Sequence, residues 1–145
     1  MSLDTRLTEF FGIQHPVVLA PMAMISGGRL AAAVTSAGGL GLIGGGYGDA
    51  ECLRREFDRA DGANVGCGFI TWSLARRPEL LDEVLAWRPA AIMLSFGDLQ
   101  PFAGRIRAAG VPLIAQAQTL DHARQALDGG ADVVVAQGGR PAATA

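Results

Sequence analysis

Gly38-Gly39-Leu40-Gly41-Leu42-Ile43-Gly44-Gly45-Gly46 is the stretch whose reading decides the fold. Its letters satisfy the dinucleotide pattern G-x-G-x-x-G, which works when a strand precedes the glycines and a helix opens on the last of them. Here the order is reversed. A helical stretch, Arg29–Ala37, precedes the glycines, and the apolar residues between them make the strand. Gly38-Gly39 therefore turns the chain from helix to strand. Gly44–Gly46 opens a loop at the strand's C-terminal end, where backbone can approach another group closely.

The same alternation runs outward in both directions. Continuous apolar runs at Val17–Ala20, Leu40–Ile43, Val65–Ile70, Ala91–Ser95, Leu113–Gln116 and Val133–Ala136 read as parallel strands covered on both faces. Helices are expected between them. Ala50–Ala60 follows the N-cap Asp49, and Pro78–Trp87 starts on proline with acids behind it. Pro101–Ala109 ends at Gly110, and Leu120–Asp128 runs from the cap Thr119 to Gly129-Gly130. Each unit is roughly 20–26 residues long, and repeated βα units imply a parallel sheet with right-handed crossovers. The fold class is α/β, and an open doubly wound sheet and a closed eight-stranded barrel both fit this pattern.

Composition narrows the function. The 145 residues are 50% hydrophobic with a formal charge of −2, a globular balance. No basic run exceeds two residues, which argues against a nucleic-acid partner. Gly, Pro or a charge interrupts every apolar stretch before membrane-spanning length, and the N-terminus has no apolar signal core, so a cytoplasmic protein is expected. Cys52 and Cys67 fall in different elements and are expected to be free thiols. No metal site is expected, since neither histidine stands at ligand spacing from a cysteine. His15 precedes the first strand and His122 sits in the first turn of a helix; both read as structural or surface residues. All twelve basic residues are arginine, a sign of GC-rich coding.

Several strand ends together resemble one family. They are Val18-Leu19-Ala20-Pro21-Met22-Ala23, Ser26-Gly27-Gly28 through Val34, Ala37 through Gly44, Val65-Gly66-Cys67-Gly68-Phe69, Ser95-Phe96-Gly97, Gln116-Ala117-Gln118-Thr119, Gly130-Ala131-Asp132 and Ala136-Gln137-Gly138-Gly139. In this order the chain resembles the nitronate monooxygenases, formerly 2-nitropropane dioxygenases. The FMN-dependent enoyl reductases of fatty-acid synthesis share much of the pattern.

The resemblance implies a parallel (β/α) barrel of the TIM type, with FMN as cofactor and a small nitronate plus oxygen as reactants. The activity it implies is oxidation of alkyl nitronates to a carbonyl compound and nitrite. The alternatives are the enoyl reductase and a non-enzymatic, self-associating half-barrel. The residues it assigns to the flavin are Ala20, Pro21, Met22, Ala23, Gly68, Gln116, Gln137 and Gly138. Gly68 stands where many members carry an FMN-binding Asn, and Gln116 where members carry a polar or basic side chain facing the ring.

The family continues past the sixth strand with Gln-Gly-x-Glu-Ala-Gly-Gly-His-Gly, whose His is the expected base. Here Arg140-Pro141-Ala142-Ala143-Thr144-Ala145 follows Gly139, and Thr144 takes the place of the His, so no catalytic residue is assigned. Threonine has no pKa near neutrality and cannot act as that base. With suitable codons the same letters read one base out of step give Glu-Ala-Gly-Gly-His-Gly, so residues 140–145 are expected to be an out-of-frame tail. On this reading residues 1–145 form a single partial barrel domain, truncated after about six strands and without strands seven and eight. The open edges would favour self-association, and loss of the phosphate-binding loops would weaken FMN binding and leave an inactive fragment.

Overall fold

The structure is a computed structural model that describes residues 3–138; Gly139, the tail 140–145 and Thr144 lie outside the described residues. Five parallel strands form one sheet: β1 (Leu42–Gly44), β2 (Gly66–Ile70), β3 (Ile92–Ser95), β4 (Leu113–Ala117) and β5 (Val133–Ala136). Their spatial order is β1-β2-β3-β4-β5. That order decides between the two architectures. A doubly wound sheet reverses direction at a switch point and carries helices on both faces. Here each strand pairs with the next in sequence, so every crossover helix falls on the same face, as in a (β/α) barrel.

The helices are α1 (Arg6–Phe11), α2 (Gly28–Ser36), α3 (Ala50–Arg59), α4 (Thr71–Leu74), α5 (Glu79–Ala86), α6 (Gln100–Ala108) and α7 (Leu120–Asp128). Local chemistry sets their starts. Asp49 accepts from the Cys52 N–H at 3.1 Å, and Thr119 accepts from the His122 N–H at 3.1 Å, each satisfying a donor that has no partner within the helix. Sequence reading missed α1 and α4. Helix α1 begins with a reciprocal pair in which Thr8 N–H donates to Thr5 Oγ1 and Thr5 N–H to Thr8 Oγ1.

Strand alternation separates two cores. Ile43, Cys67, Phe69, Ile92, Leu94, Leu113 and Ala115 face outward and pack with Leu53, Leu80, Leu81, Val84, Phe102 and Ile106 of the helices. Leu40, Leu42, Met93 and Ile114 face inward, with Val18, Val133 and Val135 against them. Phe11 and Ile13, at the end of α1, pack on this inner set and cover its lower end.

The expected first strand, Val17–Ala20, differs from the observed structure. It is an extended segment held by one parallel bridge between Val18 and Leu40. Leu40 N–H donates to the Val17 carbonyl and Leu19 N–H to the Leu40 carbonyl, both at 2.9 Å. The ladder then runs out of partners. The next donor in this ladder would be Pro21, which has no N–H to give, and Met22 N–H is taken by Ser26 Oγ at 2.5 Å. The described residues therefore hold five strands and one bridged segment in place of six strands.

Cys67 is buried in the outer core, and this burial pushes its thiol well above the usual cysteine range. Cys52 is half-buried on α3, and both cysteines are free. With a thiol-reactive chromogenic reagent at pH 8, one thiol is expected to react in the native chain and the second only after denaturation. Two fast-reacting thiols in the native protein would contradict this packing. The sign of the linkage follows. Above the unfolded thiol's ordinary pKa the unfolded chain loses a proton that the folded chain keeps, so stability falls as pH rises through that range.

Candidate functional site

Because all five strands are parallel, their C-terminal ends share one edge, and the candidate residues gather there. Gly44 closes β1. A Cβ on it would stand 2.5 Å from the carbonyl carbon and oxygen of Met22, so the Met22 peptide lies directly across this glycine. The same segment is tied down at both ends. Gly44 N–H donates to the Ser26 carbonyl at 2.8 Å, and buried Ser26 Oγ donates to the Met22 carbonyl at 2.9 Å. Gly45 N–H donates to the Gly68 carbonyl at 2.7 Å. Met24, at the tip of this turn, is fully exposed and holds φ +64°, a left-handed strain typical of binding loops.

Gly68 lies on the inner face of β2, in register with Met93. A Cβ here would overlap the Pro21 ring. Pro21 fills the space that any side chain at position 68 would enter. Around this contact Ala20 and Met22 are exposed and Ala23 is half-buried. Gln116 of β4 pairs in register with Val135. Alternation brings Gln137 to the same inner face, and Gln116 Nε2 donates to Gln137 Oε1. Gly68 is in register with Met93 and through it with Ile114, so Gln116 stands two strands across and two residues further along the barrel. Gly138 is exposed, and a Cβ on it would meet nothing within 4 Å, so no close packing requires glycine there.

The sequence reading passed over a second group at this edge. Tyr47, in the loop after β1, and Trp72, in α4 directly after β2, have ring centroids 6.1 Å apart. The Arg76 guanidinium lies 5.2 Å from the Trp72 ring centroid. Trp72 N–H donates to the Phe96 carbonyl at 3.4 Å, joining the loop after β3 to α4, and Phe96 itself holds φ +61°. Ser95 is buried at the end of β3, opposite Ile70. The one sequence signal was an aromatic immediately behind two strand ends, Gly46-Tyr47 and Thr71-Trp72.

A hollow of about 470 Å³ opens beside the glycine loop, lined among others by Ala23, Met24, Gly46, Tyr47 and Cys52. Another of about 280 Å³ lies at the opposite end of the sheet, by Phe10, Arg107 and Asp132. In parallel barrels the chemistry sits at the C-terminal edge, so the first is the relevant one. His15 lies at the lower end, where its N–H donates to the Gly38 carbonyl, and His122 is exposed in the first turn of α7. Neither enters the mouth group. Among the described residues no cluster of three or more His, Cys, Asp or Glu could hold a metal, and no helix is long and apolar enough to cross a membrane.

Fold and site together define an α/β protein of the parallel TIM-barrel type with a small-residue cradle at its C-terminal edge. Residues 4–65 match the family model for nitronate monooxygenase. The N-terminal part of the chain thus carries the nitronate monooxygenase pattern. A nitronate monooxygenase from Pseudomonas aeruginosa is 31% identical over 179 aligned positions, covering 94% of this chain and 50% of that protein. A 5-hydroxy-7a-methyl-1-oxo-octahydro-1H-indene-4-carboxyl-CoA dehydrogenase from Rhodococcus jostii is 30% identical over 145 positions, covering 95% of this chain and 40% of that protein. Among solved structures, FabK from Thermotoga maritima superposes with a TM-score of 0.84 at 26% identity, over 93% of this chain and 44% of FabK. A nitroalkane oxidase from Streptomyces ansochromogenes gives 0.68 at 29% identity, over 92% and 48%. The chain spans half or less of the length of each of these proteins.

Proposed function

We propose that the chain supplies the flavin-facing part of an FMN-dependent oxidoreductase, and that the substrate is an alkyl nitronate oxidised by oxygen to a carbonyl compound and nitrite. The observation that carries this reading is the Ala20–Ala23 segment laid across Gly44 and Gly68. Side chains are absent or small where the backbones meet, and the exposed surface of Ala20 and Met22 beside them leaves room for a planar ring. The residues fit the group at its polar edge as well. A glutamine amide has two N–H donors. Gln137 occupies one on Gln116, which leaves the other for an acceptor on the ring. Ala20, Pro21, Met22 and Ala23 would hold one face, Gly68 would keep Pro21 in place, and Gln137 with Gly138 would bound the far side. FMN, when bound, supplies the electron-transfer chemistry; the chain binds, orients and keeps water from the ring.

A second reading has its own support. The alignment with the Rhodococcus CoA dehydrogenase covers 95% of the chain in 145 positions, whereas the Pseudomonas nitronate monooxygenase needs 179 positions to cover 94%. At nearly equal coverage the alignment to the former is 34 positions shorter, so it carries fewer gap positions. The higher TM-score to FabK agrees with an FMN-dependent enoyl reductase or related thioester oxidoreductase. Oxidation of NAD(P)H in the presence of an enoyl thioester would favour this reading, and nitronate-dependent oxygen uptake the first.

The test of the shared element is FMN titration of the 145-residue chain, read by flavin fluorescence and absorbance. Weak binding is expected, because the described residues contain no counterpart of the loops after strands seven and eight that usually hold the phosphate. Such binding should be lost on Met22→Asp, which places a carboxylate against the ring. Binding that Met22→Asp leaves unchanged would remove the cradle from the argument, and no binding at millimolar FMN would remove the flavin from this chain.

A further inference from the structure

The mouth carries an apolar surface that the cradle does not use. Tyr47 is 73% exposed and Trp72 45% exposed, yet the two rings are tilted toward each other at 48° and 6.1 Å, a shared ledge rather than two scattered side chains. Large aromatic surface left in water at the active edge of a barrel marks a binding surface. The charge beside it is equally specific. Neighbouring Arg77 is engaged by the Gly48 carbonyl at 2.8 Å and by Glu79 at 3.3 Å. Arg76, whose guanidinium lies over Trp72, makes no ion pair among the described residues. The ledge thus offers two π faces and one cation without a counter-charge. Its footing is firm: Trp72 is anchored through its N–H to Phe96, and a Cβ on Gly97 would stand 2.9 Å from Thr71 Cβ, so the loop after β3 packs closely under α4.

We infer that Tyr47, Trp72 and Arg76 form a specificity ledge that takes a planar aromatic group bearing a negative charge, the part of the substrate that does not react. The ring stacks on Trp72 and Tyr47, and the anion pairs with Arg76. The inference rests on the C-terminal mouth being the reaction site, as proposed above, but needs no flavin to be present. Two sources share this chemistry. One is an aryl acid, in which the ring and charge belong to the substrate itself. The other is the nucleotide portion of a carrier thioester, with a purine and a phosphate.

The chain has two tryptophans, and Trp87 packs against Phe57 with ring centroids 4.9 Å apart, away from the mouth. The Trp87→Phe variant therefore leaves Trp72 as the single reporter. Its fluorescence is titrated, without flavin, with naphthoate, with adenosine monophosphate and with neutral naphthalene methanol. Saturable quenching by one of the anions is expected, weaker for the neutral alcohol and weaker at high salt. Arg76→Gln should weaken it about threefold to fivefold, as for an exposed ion pair, and Arg76→Lys should restore part of it. Stronger binding of the monophosphate assigns the ledge to a nucleotide-bearing carrier; stronger binding of naphthoate assigns it to an aryl acid. No saturable quenching by either anion, or an unchanged affinity in Arg76→Gln, would overturn the inference. Arg76 and Tyr47 are exposed, so circular dichroism suffices to show that the variants remain folded. The flavin titration is independent of this one, so either proposal can fail while the other stands.

Discussion

Gly68→Asn is expected to lower stability by about 3 kcal/mol, the upper part of the range for overpacking a filled site. The reason is local. A Cβ at Gly68 overlaps the Pro21 ring, and Met93 Cβ stands 3.7 Å away on the next strand, so the new side chain has no free direction on this face. Pro21 is held in turn by the Met22–Ser26 turn and by the Met22 peptide over Gly44, so it cannot withdraw without releasing the cradle. The damage should reach the site as well as the fold, with flavin affinity falling alongside the denaturation midpoint. A double-mutant cycle isolates the contact. Pro21→Gly removes the ring, and the pair Pro21→Gly with Gly68→Asn should be more stable than the sum of the single changes by about 1 kcal/mol or more. Strict additivity would mean that Pro21 is not what excludes the Asn.

Gly28→Ala is expected to have an equal or larger effect, about 3 kcal/mol or outright failure to fold, although alanine is the better helix former. At Gly28 the first turn of α2 meets the backbone of α3. A Cβ there would overlap the Glu56 carbonyl oxygen and stand 2.9 Å from the Ala60 nitrogen. Backbone cannot swing aside as a side-chain tip can. The two helices would have to separate, and with them the hydrogen bond from Gly28 N–H to Glu56 Oε2 at 3.0 Å would be lost. That bond sets a carboxylate against the positive end of α2. Gly104→Ala is the matched control. Gly104 lies within α6, and a Cβ on it would meet nothing within 4 Å, so that change should stabilise by about 0.5–1 kcal/mol. Chemical denaturation of both variants reads the difference. Similar midpoints for the two would refute the close α2–α3 approach.

Neither glycine could be ranked from sequence. Gly28 and Gly104 are both helical glycines, and they differ only in what another segment places beside them. The same holds at the mouth. Gln116 and Gln137 were each legible as polar residues at strand ends, but their pairing depends on the register of β4 with β5. Tyr47 and Trp72 lie 25 positions apart in the chain, and Arg76 owes its position over Trp72 to the single turn of α4. No periodic pattern announces that turn, because four residues are too few to show one.

What the sequence by itself determined is the run of strands and helices, because those depend on neighbours a few residues away. Continuous apolar segments mark parallel strands buried on both faces. Asp49 and Thr119 cap α3 and α7 through their own local N–H groups, and glycines at positions 110 and 130, with φ of +70° and +97°, let the chain leave its helices. The Gly38–Gly46 stretch likewise fixed helix before strand, and with it the rejection of the dinucleotide motif. What the tertiary structure alone decided is the choice of a barrel-type order over a doubly wound sheet, the reduction of Val17–Ala20 to one bridge, the seating of Pro21 on Gly68, and the aromatic ledge. Each of these is a contact between segments distant in the chain. Their geometry is set by strand register and by how closely two backbones can approach, quantities that no stretch of sequence carries on its own.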